Sequence, residues 1–104
     1  ISEVRIEGHT SSIWNSYTSD TNAYFFNMKL SQGRTRSVLE YIYDLDKVAT
    51  HKEWINRHIA AVGFSSSRKI VDRKGDEDRD RSRRVSFRVI TNADIKIKQI
   101  LESK

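Results

Sequence analysis

Three histidines, His9, His51 and His58, are the only imidazoles in the chain, and cysteine is absent. Without thiols there can be no zinc-thiolate site, cysteine nucleophile or disulfide. His51 and His58 lie seven residues apart on an expected helix, on one face but two turns distant, and no His-Glu-x-x-His spacing occurs. A metal site is therefore not expected. No Gly-x-Ser-x-Gly, phosphate-binding loop or dinucleotide glycine pattern occurs, and nothing local arranges a Ser/His/Asp triad. Neither an enzyme nor a cofactor is expected. The residue that chemistry singles out is Arg34, which follows a Ser/Thr-rich loop and falls inside an expected helix. A guanidinium there can hold a carboxylate in bidentate fashion. Free N–H groups at the helix start would add a favourable field for an anion. On pattern alone, an ordinary exposed arginine is the commoner case.

The charge balance agrees with an anionic partner without choosing one. Lys plus Arg is 19 and Asp plus Glu is 14, a formal charge of +5. Nucleic acid, lipid headgroups and a carboxylate-bearing polymer would all suit it. A nucleic-acid module would place aromatic and basic residues together. Here the densest aromatic stretch is Trp14 to Phe26 and the densest basic one is Arg68 to Arg84, with no reader motif in either. No nucleic acid is expected.

The elements that must position Arg34 follow from periodicity. With 104 residues, 37% hydrophobic and 32% charged, the chain has room for one domain with a modest core. Val4 and Ile6 alternate with charged neighbours over Glu3 to Glu7, predicting a half-buried strand ended by Gly8-His9-Thr10. Ser11 to Thr21 reads as a loop that Trp14 and Tyr17 can pin down. A long helix follows, capped by Ser19 or Asp20, with Phe26, Leu30, Val38, Ile42 and Leu45 on one stripe and Gly33 at mid-helix. Asp46 to Ile59 predicts a second helix, and Ala60 to Phe64 a short strand. Arg68 to Arg84 mixes both charges and reads as a solvated loop. Val85, Phe87 and Val89 alternate as a strand, and Thr91 or Asn92 can cap a last helix carrying Ile95, Ile97, Ile100 and Leu101. No apolar run reaches the roughly 18 residues of a membrane helix. The start at Ile1, directly in an alternating pattern, is read as that of a fragment whose anchor would lie upstream.

Four segments, in this order, resemble the OmpA-like peptidoglycan-binding domain family. Ile6-Glu7-Gly8-His9-Thr10 is similar to the family's strand ending in Gly-His-Thr-Asp. Asn27-Met28-Lys29-Leu30-Ser31-Gln32-Gly33-Arg34 is similar to its Asn-x-x-Leu-Ser-x-x-Arg helix. Ala61-Val62-Gly63-Phe64 resembles its short Gly-aromatic strand, and Arg79 to Val85 its Arg-x-x-Asn-Arg-Arg-Val segment. The resemblance implies an α+β domain, an OmpA-like β/α sandwich lacking the family's first strand and helix, ordered strand-helix-helix-strand-loop-strand-helix. It would occupy residues 1–92, with a helical extension over 93–104. The sheet would then expose an edge or borrow a strand from another copy, as a homodimer.

The resemblance also implies a role: noncovalent binding of the diaminopimelate of peptidoglycan stem peptides. The parent would be a membrane-attached protein in the periplasm of a Gram-negative bacterium, tethered to the outer or inner membrane and anchored to the cell wall. Arg34 would bind the diaminopimelate carboxylate, Asn27 would order the loop or touch the ligand, and Arg83 would line the same pocket. Thr10 and its neighbours would offer backbone hydrogen bonds. The family's Asp after Gly-His-Thr is Ser11 here, which cannot neutralise an ammonium; Asp20, in the long following loop, is the candidate replacement. Otherwise the pocket is degenerate and the domain serves protein contacts, or the chain is a basic nucleic-acid module.

Overall fold

The computed structural model describes residues 2–103. It is an α+β domain. Strand β1 (Glu3–His9) is followed by helix α1 (Asp20–Tyr43), a 3-10 turn (Asp46–His51) and helix α2 (Lys52–His58). Strand β2 (Ile59–Gly63), the short helix α3 (Arg79–Ser82), strand β3 (Arg84–Ile90) and helix α4 (Asn92–Glu102) complete it. The sheet order is β2-β1-β3. β2 runs parallel to β1, from Val4 opposite Ile59 to Gly8 opposite Gly63. A parallel neighbour needs a crossover, which α1 and α2 provide. β3 runs antiparallel, from Glu3 opposite Ile90 to His9 opposite Arg84.

The register explains how α1 seats. Val4, Ile6 and Gly8 share a sheet face with Val89, Phe87 and Val85, their partners on β3. α1 crosses this face at the paired glycines. A Cβ on Gly8 would lie 2.7 Å from the Ser31 carbonyl oxygen and 2.8 Å from Thr35 Cγ2. One on Gly63 would lie 2.6 Å from the Gln32 backbone nitrogen. The helix therefore buries a row of small or polar residues four apart: Ala23, Asn27, Ser31 and Thr35. The apolar stripe expected to face the core is rotated away by one position. Phe26, Leu30 and Leu45 are exposed, and Val38 and Ile42 half-buried. There is no room for large side chains where helix backbone meets strand backbone.

Other boundaries also shift. β1 continues through Gly8 and His9, because both pair with β3. The second helix divides into the 3-10 turn and α2, and Ile59 enters β2. Ser19 caps α1, its hydroxyl accepting from the Asn22 N–H at 3.2 Å. Gly33 has nothing within 4 Å of where its Cβ would sit, so close packing belongs to Gly8 and Gly63 instead. The charged segment after β2 is tied down. Asp78 N–H donates to the Ile70 carbonyl at 2.8 Å, Ile70 N–H to Ser82 Oγ at 3.0 Å, and Val71 bridges Glu77. Thr91 and Asp94 form a reciprocal cap on α4, whose Ile95, Ile97, Ile100 and Leu101 stay exposed.

Candidate ligand groove

At the end of β1 the chain enters the loop to α1, and three successive loop residues are fixed by three different partners. Ser12 donates its N–H to Glu77 Oε1 at 2.8 Å and its hydroxyl to Oε2 at 2.5 Å. The Ile13 carbonyl accepts from Asn27 Nδ2 at 3.3 Å. The Trp14 indole packs on the Phe26 ring, with centroids 5.3 Å apart. Below them Ser65, a buried non-glycine residue at φ 54°, joins β1, α1 and the end of β2. Its carbonyl accepts from Thr10 N–H at 2.9 Å, its N–H donates to Ser31 Oγ at 3.2 Å, and its hydroxyl donates to the Tyr24 carbonyl at 2.6 Å.

This scaffold forms one wall of an open groove of about 660 Å³ between α1, Trp14 and the start of β3. Phe26, Leu30, Arg34 and Val38 recur every four residues along α1 and line it, with Gly33 leaving space beside them. Val85 closes the β3 side. The groove is thus mainly apolar, with the Arg34 guanidinium set within an aromatic and aliphatic row. Such a site can take an aliphatic chain ending in a carboxylate. Lys29 and Arg36 at its margin add to the positive field.

The residues expected from the sequence are not gathered into this one groove. Arg34 lines it, and Asn27 supports it from beneath by holding the loop. Thr10 and Ser11 are buried at the end of β1, and the Thr10 N–H is already spent on Ser65. Asp20 is exposed in the first turn of α1. Arg83 is exposed and paired with Asp80 at 2.7 Å. Sequence reasoning missed Trp14, Phe26 and Leu30 as walls. Their signal was present in the aromatic residues that interrupt a polar loop and in the apolar stripe that turns out to be uncovered. Trp14 does pack down, whereas Tyr17 is 96% exposed.

A second polar cluster lies on the opposite sheet face. His9, 2% exposed, stacks on Phe64 with centroids 5.3 Å apart, and the Arg68 guanidinium covers that ring at 4.0 Å. Glu7 lies 4.0 Å from His9 Nε2 and 3.7 Å from Arg68. Burial, with Arg84, holds the His9 imidazole below its ordinary range; Glu7 opposes this and Arg68 adds to it. Among the described residues no group of three or more His, Asp or Glu converges as a metal set. No described helix is long and apolar enough to cross a membrane.

The molecule thus presents a small α+β domain with an arginine-bearing apolar groove. No family model matches the chain. It is similar to the Zorya protein ZorB of Escherichia coli, with 55% identity over 102 residues. That alignment takes in 98% of this chain and 43% of the length of ZorB.

Proposed function

We propose that the groove binds the diaminopimelate of a peptidoglycan stem peptide and that the chain is an OmpA-like domain anchoring a membrane-attached protein to the cell wall from the periplasm. The observation that carries this reading is the position of Arg34 within an otherwise apolar row. Diaminopimelate is an aliphatic chain with an amino acid at each end. Its carboxylate suits the guanidinium and its methylenes suit Phe26, Leu30 and Trp14. Binding is noncovalent, and no bond is made or broken. The mixed three-stranded sheet, with β3 at one edge, is compatible with an OmpA-like arrangement. That edge is where Phe87 and Val89, 58% and 51% exposed, lie uncovered beside α1.

Co-sedimentation with purified sacculi tests the reading. The chain pellets with sacculi, Arg34→Ala lowers the bound fraction at least about tenfold, and Arg57→Ala, far along the chain on α2, leaves it unchanged. Equal binding by wild type and Arg34→Ala would sink it. A second reading, a protein-contact domain, draws on the exposed apolar residues of β3 and α4. It takes precedence if wild type stays in the supernatant.

A further inference from the structure

We propose that the groove continues over Gly33 into a second, cationic pocket on α1, where Lys29 and Arg36 hold a second carboxylate of the bound peptide. This rests on the reading of the groove as a stem-peptide site. The second pocket, of about 280 Å³, is lined by Lys29, Gln32, Gly33 and Arg36. Lys29, Gly33 and Arg36 also line the groove, so the two cavities meet along one strip of helix. The strip has helical spacing: Lys29 is one turn before Gly33 and Arg36 one turn after it. Their backbones lie about 10 Å apart along the axis, with the glycine between.

Gly33 is what opens the passage. A glycine inside a helix costs stability, and neither packing nor backbone conformation demands one here. Nothing lies within 4 Å of where its Cβ would sit, and among the described glycines only Gly75 has a positive φ. A side chain at this position would stand between the two cavities that share it. The charge along the strip is one-sided. From Phe26 to Val38, α1 carries Lys29, Arg34 and Arg36 and no acid. Lys29 forms no ion pair among the described residues. Arg36 pairs with Glu40 at 3.5 Å, and both side chains are largely exposed, a weak pair that an incoming carboxylate can displace. A stem peptide supplies that carboxylate, because the γ-linked D-glutamate joined to diaminopimelate keeps its α-carboxylate free. Arg34 then takes one anionic group, the apolar row takes the methylenes, and Lys29 with Arg36 takes the other anion.

The test compares two synthetic tripeptides, L-alanyl-γ-D-glutamyl-meso-diaminopimelate and its D-isoglutamine counterpart, in which an amide replaces that one carboxylate. Both are titrated calorimetrically at low ionic strength, where exposed charges are least screened. The proteins are wild type, the double variant Lys29→Gln with Arg36→Gln, Gly33→Leu and Arg34→Ala, with circular dichroism and urea unfolding as folding controls. Wild type is expected to prefer the D-glutamate peptide about fivefold. The preference should vanish in the double variant and in Gly33→Leu, which should unfold at no lower urea concentration than wild type. Arg34→Ala should weaken both peptides. The proposal is overturned if wild type binds the two peptides equally, or if the preference survives in the double variant or in Gly33→Leu. Equal weakening of both peptides in the double variant is such a survival, and would reduce Lys29 and Arg36 to a general positive field. In those cases the groove reading stands so long as Arg34→Ala weakens binding. Wild type that binds neither peptide would remove both.

Discussion

His9 sits on the central strand with its ring stacked on Phe64 and its charge state opposed by burial, Arg84 and Arg68, with only Glu7 favouring the proton. Its folded pKa lies below the ordinary 6.5. The unfolded chain therefore binds more protons than the folded one between 6.5 and the lowered value, and stability rises with pH across that window. Lowering the pH from about 7.5 to 5 should reduce the urea midpoint of wild type, and His9→Gln should flatten the decline. An equal decline in both proteins would show that His9 is not the titrating group. Protonation of Glu77 begins to matter only at more acid pH, because its carboxyl is held below the ordinary 4.5. At the same scale Arg34 owes its chemical interest to its neighbours. The Arg34 guanidinium is exposed between Leu30 and Val38, so it can meet a ligand carboxylate while the apolar neighbours take up methylenes.

The way α1 seats on the sheet decides which side chains are free to form the groove. With Gly8 opposite Gly63, the helix approaches until Ser31 and Thr35 touch strand backbone. The large residues one position earlier then turn outward as a wall. A methyl group at Gly8 would meet the Ser31 carbonyl at 2.7 Å, a backbone atom that cannot move aside alone. Gly8→Ala should therefore destabilise by about 1–3 kcal/mol. Gly33→Ala, on α1 and facing open space, should stabilise by about 1 kcal/mol. Denaturant unfolding of the two variants distinguishes this seating from a loose one, in which both substitutions would be neutral or stabilising. Much of the element order was legible from periodicity and capping residues: the strand at Val4 and Ile6, the long helix after Ser19, the strand at Val85 and the cap at Thr91. The buried face of α1 was not legible. An apolar stripe and a row of small residues lie side by side, and only the glycine pair on two adjacent strands far apart in sequence says which one packs. Arg34 could be picked from its surroundings in sequence. Glu77 could not, because it is one acid in a segment dense in both charges, and its bond to Ser12 spans 65 residues.

The whole molecule has little core for its size. Only Ile6, Ala23 and Ile55 are buried apolar residues among those described, and the radius of gyration is 16.5 Å against about 13 Å for a compact chain of this length. Uncovered apolar surface includes the groove, β3 and α4. Surface of this kind on a small domain marks contact sites. The groove differs from the other two in carrying a cation within its apolar wall and a loop fixed at three consecutive residues. The central claim is that this groove, and not the β3 edge or α4, holds the stem peptide. Its most direct test is an NMR titration of the isotope-labelled chain with a diaminopimelate-containing muropeptide. Shifts are expected to concentrate at the Trp14 indole, the Leu30 methyls and the Arg34 side chain, while Trp54 and α4 stay still. Shifts confined to β3 and α4, or none at saturating muropeptide, would contradict it.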